Sequence, residues 1–196
     1  MFLSERIDRA IERATVLHGK QERKMSGSPY IIHPYAVAFL LAHFVDDEDV
    51  IIAGLLHDTL EDVPGYTESM LEQEFGPRVT SIVKEVTEDF TLAEKSDHSK
   101  RRDSWQRRKE LYIENLKNDS PEALLVAAAD KIHNMRSLMS GYRTGGEEAL
   151  EDFSASKDKM LWYYKEVAEV IGARLTHPLV DELRRVLVAF QAAFVA

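Results

Sequence analysis

The run DVIIAGLLHDTLEDV, residues 49–63, decides how this chain folds. Its first half is largely apolar, which predicts a helix buried in a core. Its second half carries His57, Asp58, Glu61 and Asp62. If the helix continues, His57 and Glu61 stand four apart, as do Asp58 and Asp62, and Asp58 and Glu61 stand three apart, so the side chains share overlapping faces. Three carboxylates and an imidazole at one helix end repel unless solvent or a cation sits among them. A divalent metal resolves the conflict, because it binds neutral imidazole and carboxylate together.

Outward from this segment, nearly every periodic stretch reads as helix. Ser4 is a predicted N-cap for ERIDRAIERATVLHG, with Gly19 as its stop. RKMSGSPYII is turn-rich, and Pro34 opens a second helix at its first position. The quoted run forms the third helix and ends at the VPG turn. Thr67 caps a short helix to Phe75, and Gly76–Pro77 is a stop followed by a start. DFTLAEKSDHSKRRD lacks an apolar period and reads as loop, before helix returns in SWQRRKELYIENLKN. Ser120 and Pro121 open a long helix that Gly141 should stop, and TGGEE reads as a loop. Two helices fill the rest. The apolar positions Leu179, Val180, Leu183, Val186, Leu187 and Phe190 of the last could pack on the bundle or on a second subunit, which would make a homo-oligomer. No alternating strand pattern, internal repeat or linker appears. The expectation is one all-α domain over residues 1–196, with the helices of 156–196 packed on the rest.

Composition narrows the function. A chain of 196 residues with 44% hydrophobic content can bury one substantial core. The absence of cysteine excludes disulfides, thiolate ligands and a cysteine nucleophile. The N-terminus lacks the apolar run of a signal peptide, and no stretch approaches the roughly 18 apolar residues of a membrane span, so the expected setting is cytoplasmic, without a membrane. A net charge of −9 argues against a nucleic-acid partner. A small anionic substrate is compatible with it if cations cluster locally. Two clusters do: Lys20, Arg23 and Lys24, and the segment holding Lys95, Lys100, Arg101, Arg102, Arg107, Arg108 and Lys109. Arginine can clamp phosphate oxygens and stack on a base.

A complete metal site needs ligands from elsewhere. YIIHPYAV offers His33 beside Pro34. LLVAAADKIHNM offers Asp130 at the end of an apolar run, where a carboxylate needs a partner, and Asn134 lies one turn on, on the same face. The expected ligand set is His33, His57, Asp58 and Asp130. Four protein ligands leave room on a five- or six-coordinate ion for water. His133 is expected beside the site without ligating, and His18, His43, His98 and His177 as structural or solvated. Trp162, Tyr163 and Tyr164 read as core or rim aromatics.

The blocks HGKQERKMSGSPYIIHPYAVAFLLA (18–42), AGLLHDTLEDV (53–63), FGPRVTSIVKEVTE (75–88) and ADKIHNMRSL (129–138) together resemble the hydrolase domain of RelA/SpoT-type alarmone enzymes, a branch of the HD-domain metal phosphohydrolases. The resemblance runs from about residue 5 to about residue 142. It implies an all-α HD-domain helical bundle, Mn²⁺ as cofactor with other divalent ions as alternatives, and removal of the 3′-pyrophosphate from (p)ppGpp. It places the metal ligands on His33, His57, Asp58 and Asp130, the catalytic pair on Glu61 and Asp62, and substrate contacts on Arg23, Lys24 and Asn134. VTEDF stands where the long enzymes usually have Thr-Lys-Leu. Residues 89–108 and the tail after Gly141 also depart from the pattern and bear on which base is accepted. Two other readings stand beside this one: a phosphohydrolase of another nucleotide, such as (p)ppApp or NADPH, and a non-catalytic alarmone-binding sensor.

Overall fold

The computed structural model describes residues 4–23, 26–88, 97–150 and 155–195. The helices are α1 (Glu5–Leu17), α2 (Ile32–Phe44), α3 (Glu48–Leu56), α4 (Thr59–Asp62), α5 (Glu68–Phe75), α6 (Pro77–Val86), α7 (His98–Asp103), α8 (Trp105–Leu116), α9 (Pro121–Gly145), α10 (Lys157–Arg174) and α11 (Pro178–Val195). A 3₁₀ turn, Gly146–Leu150, follows α9. The described residues contain no strand, only an isolated bridge between Glu22 and Pro29. None of the described helices is long and apolar enough to cross a membrane.

The centre of the molecule is α3. Every residue from 50 to 56 is buried, and the helix packs against α1, α2, α6 and α9. Gly54 permits this closeness, since a Cβ there would stand 2.4 Å from the Leu41 side chain of α2. Helix α9 is the second axis, buried along residues 123–132 and packed on α2, α3, α6, α10 and α11. The apolar row of the last helix packs inside the chain: Leu179, Val180, Leu183, Val186 and Phe190 are all buried. Each fully buried large apolar side chain contributes roughly 1.5–3 kcal/mol, so this row is sufficient to dock α11 on α9.

Several caps fall where the sequence puts them. Ser4, Thr67 and Ser120 each accept a bond from a backbone amide of the following turn, and Gly76 adopts φ 90° before Pro77. Other boundaries differ. Helix α2 begins at Ile32, so His33 lies inside its first turn and Pro34 just after it. Pro34 is tolerated there because first-turn amides have no partner within the helix. The stretch read as loop before the Trp105 helix carries α7 over 98–103, capped by Asp97, while residues 89–96 lie outside the described residues. Gly141 does not stop α9. The helix runs to Gly145 and ends at Gly146, which supplies φ 60°; only a residue that can take positive φ ends the helix this way, and Gly141 stays inside it.

The largest difference is at His57 and Asp58. They do not continue α3 but form a turn between it and the one-turn helix α4. The His57 Nδ1–H donates to the Gly54 carbonyl at 2.8 Å, and Thr59 Oγ1 donates to the Leu56 carbonyl at 2.6 Å. These side chains take over carbonyls that the next helical turn would have used.

Candidate active site

The turn after α3 points His57 and Asp58 toward His33 of α2 and Asp130 of α9. The imidazole Nε2 atoms of His33 and His57 stand 3.2 Å apart. Asp58 Oδ2 lies 3.4 Å from His33 Nε2 and 3.1 Å from His57 Nε2. Asp130 Oδ1 lies 3.1 Å and 3.8 Å from the same nitrogens. Both carboxylates therefore touch both imidazoles, and the donor atoms of His33, His57 and Asp58 all fall within 4.8 Å of one another. Metal–ligand bonds of about 2.1 Å put neighbouring ligand atoms about 3.0–3.4 Å apart, which matches most of these spacings.

The tautomers suit metal binding. With its Nδ1–H donated to Gly54, His57 keeps its Nε2 lone pair for the chamber. His33 Nδ1 lies 2.7 Å from His133 Nδ1. Burial, then the neighbouring His33 and Arg23, push His133 down to about 4, so it is neutral near pH 7 and can accept the His33 Nδ1–H. That leaves His33 Nε2 free to ligate. His133 is thus placed to orient the His33 ring from behind rather than to face the carboxylates.

Electrostatics asks for positive charge at this point. Burial opposes protonation of His57, but Asp58 and Asp130 outweigh it and hold its pKa well above the ordinary imidazole value. Burial likewise opposes ionisation of Asp58 and Asp130. His57 for the first, and Lys131 then His33 for the second, hold both well below the usual carboxylate range. A divalent ion would meet the same demand with both imidazoles neutral. The donor set, two nitrogens and two oxygens without sulfur, fits Mn²⁺ or a similar ion.

Supporting side chains surround these four residues. Tyr30 Oη donates to Asp58 Oδ2 at 2.5 Å and reaches Asp62 Oδ2 at 3.4 Å. Lys131 Nζ pairs with Asp130 Oδ2 at 2.6 Å and lies over the Tyr112 ring. Asn134 Nδ2 donates to Asp130 Oδ1, and Arg23 donates to Asn134 Oδ1 at 3.3 Å. Glu61 Oε2 accepts from the Glu88 amide at 3.4 Å. Glu88, whose side chain is 9% exposed, in turn pairs with Arg108 at 2.7 Å and with Lys109.

Two cavities meet here. An inner one of about 170 Å³ holds His33, His57, Asp58 and Asp130. An outer one of about 730 Å³ is lined by Arg23, Arg101, Trp105, Arg108, Asn134 and Tyr164 among others. Tyr30, Glu61, Asp62, Lys109 and Asn134 line both, so they form the passage between the two. The predicted site residues thus converge, except Lys24, which lies outside the described residues. Of the second basic cluster, Arg101, Arg108 and Lys109 reach the outer cavity, Lys100 and Arg102 are exposed, and Lys95 lies outside the described residues. Tyr163 is core, whereas Tyr164 also lines the cavity.

Tyr30, Lys131, His133 as an orienting group and Glu88 were not picked out from sequence. Tyr30 and His133 stand three residues from a proposed ligand, and Lys131 stands next to one, so proximity was a usable signal for them. Glu88 had none.

Residues 10–153 match the HD domain family. The chain belongs to the HD-domain family. Among its relatives, this HD-domain chain is 39% identical to the guanosine-3′,5′-bis(diphosphate) 3′-pyrophosphohydrolase MESH1 of Homo sapiens, over 66% of this chain and 67% of that protein. It is 38% identical to the guanosine-3′,5′-bis(diphosphate) 3′-pyrophosphohydrolase of Aquifex aeolicus over 69% of this chain, and the match spans 18% of that longer protein. A solved structure described as a metazoan ortholog of SpoT that hydrolyzes ppGpp is similar with a TM-score of 0.76 and 29% identity, covering 95% of this chain and 96% of the other.

Proposed function

We propose that this HD-domain protein is a metal-dependent hydrolase that removes the 3′-pyrophosphate from guanosine 3′,5′-bis(diphosphate) and its 5′-triphosphate analogue. The observation that carries this reading is the inner His–Asp chamber opening, past Glu61 and Asp62, into a larger cavity walled by Arg23, Arg101 and Arg108. Its relatives of similar length, including the human protein, bear the same activity in their names. Such chemistry calls for a cation and a hold on a polyanion, and the His–Asp chamber and the arginine-walled cavity would suit each in turn.

His33, His57, Asp58 and Asp130 would hold the ion, proposed to be Mn²⁺. When bound, such an ion makes water a better nucleophile near neutral pH and neutralises charge on phosphoryl oxygens. The chain's own groups do the rest. Glu61 and Asp62, at the mouth of the inner chamber, accept the proton of the attacking water at Oε2 or Oδ2. The water oxygen bonds to the phosphorus on the ribose 3′-oxygen, the P–O3′ bond breaks, and the proton passes to O3′. The products are GDP or GTP and pyrophosphate. A positioned general base contributes roughly 10²–10⁴ in rate. Arg23, Asn134 and Lys24 are proposed to contact the substrate's phosphates, with Arg23 braced on Asn134.

The test uses metal-stripped protein with ppGpp, with and without Mn²⁺, beside an Asp58→Ala variant, following pyrophosphate release. Release that requires both Mn²⁺ and Asp58 is the expected result. Absence of release with ppGpp binding retained would replace this reading by a binding sensor.

A further inference from the structure

Two residues behind the passage are tied to Asp62 without lining either cavity. His18 is 1% exposed, and its Nδ1 lies 2.6 Å from Gln21 Oε1. Gln21 Nε2 donates to the Asp62 main-chain carbonyl at 2.7 Å. That bond fixes the amide's orientation, so Oε1 faces the imidazole and Nδ1 carries the proton. The imidazole also packs on the Tyr30 ring at a tilt of 36°, with centroids 5.1 Å apart, and the Tyr30 hydroxyl reaches Asp58 and Asp62. Backbone bonds hold the loop in shape: the Gln21 amide to the His18 carbonyl, and the Tyr30 amide to the Gln21 carbonyl, both at 2.9 Å.

Packing alone does not explain a histidine here. Among the described residues its buried Nε2 has no hydrogen-bond partner, which costs stability that a phenylalanine would avoid while still packing on Tyr30. The group in use is the Nδ1–H. Its target, through Gln21, is the end of α4, a helix of only 4 residues. A single turn fixes several backbone dihedrals for few hydrogen bonds and is not stable by itself. Contacts from outside α4 must hold the backbone that carries the Asp62 side chain, as the Gln21 bond to its carbonyl does.

We propose that His18 and Gln21 are positioning residues for Asp62: the imidazole orients the Gln21 amide, and the amide clamps the main chain of α4. This rests on the reading of Asp62 as a proton acceptor. Misplacement of a reacting group by about 1 Å can cost on the order of 10²-fold in rate.

The experiment compares His18→Phe, Gln21→Met and the double variant in the full chain. Three readouts are taken: kcat and KM for ppGpp, Mn²⁺ affinity by calorimetry, and hydrogen exchange at the Asp62 and Val63 amides. We expect kcat to fall roughly 10- to 100-fold in each single variant with KM within about twofold. Mn²⁺ affinity is unchanged, exchange at both amides is faster, and the double variant loses no more than Gln21→Met alone. Unchanged kcat, losses that multiply in the double variant, or a fall in Mn²⁺ affinity that tracks kcat would overturn the proposal. Gln21→Met keeps side-chain length at a half-buried position, so the test survives a His18→Phe chain that fails to fold. If the wild-type protein releases no pyrophosphate, the functional reading fails by itself, and exchange still judges the clamp: unchanged exchange refutes it.

Discussion

Lys131 follows Asp130 in sequence and neutralises it in space. Burial opposes protonation of Lys131, but Asp130 outweighs it and holds the ammonium's pKa well above the ordinary lysine value. Removing one partner of a buried pair leaves the other charge uncompensated, which typically costs about 3–5 kcal/mol. Lys131→Met should therefore lower the denaturant midpoint of the metal-free protein by a corresponding amount. With saturating Mn²⁺ the deficit should shrink, because an ion on His33, His57, Asp58 and Asp130 supplies positive charge to the same carboxylate. Equal deficits with and without metal would mean that Asp130 is not a ligand. His133 shows the same division of labour: a ring expected beside the site stands 2.7 Å from His33 Nδ1, where as a neutral acceptor it would hold the proton on that nitrogen.

Between α8 and α9, Asp119 has a buried Oδ2 with no hydrogen-bond partner among the described residues. Burial, then nearby Glu85, push its carboxyl up to about 6, with Arg174 opposing. Glu85 is there because it accepts the Ser120 amide at 2.6 Å, at the start of α9. For an acid raised in the folded state, the associated stability is intact below its unfolded value near 4 and is lost as pH climbs through about 6. Asp119→Asn should thus raise the melting temperature at pH 7.5, by on the order of 1 kcal/mol of stability, and change it little at pH 4. Thermal denaturation at the two pH values checks the sign. A gain at pH 4 and none at pH 7.5 would contradict it. The α3–α4 turn makes a related point about elements: the break that aims His57 and Asp58 is built from their neighbours' carbonyls and from a threonine hydroxyl.

Across the whole molecule, the proposed function requires a chain of net charge −9 to collect a polyanion. The outer cavity concentrates the cations that can do so, with Arg101 on its wall and Arg102 exposed away from it. Screening at physiological ionic strength acts over about 8 Å, so position decides which arginine matters. Arg101→Ala should raise KM for ppGpp several-fold at low salt and flatten its salt dependence, whereas Arg102→Ala should change both far less. Steady-state kinetics across ionic strength separates them. Equal effects would assign attraction to the general field of the segment rather than to the cavity wall.

The sequence by itself determined the helical class, the main caps, and the four residues His33, His57, Asp58 and Asp130 that meet in the inner chamber. Their chemistry was legible because an apolar run ending in histidine and acids, and a carboxylate at the end of Leu124 to Ala129, have few stable explanations. Tertiary structure decided the rest. Whether His57 stays in a helix, which nitrogen of His33 faces the carboxylates, where Arg101 points, and that Gln21 grips Asp62 all depend on contacts between residues far apart in the chain. Local spacing fixes which side chains share a face of one helix. It carries no information about which carbonyl, ring or ammonium another helix brings to that face, and those long-range partners set the tautomers, charges and orientations on which the site depends.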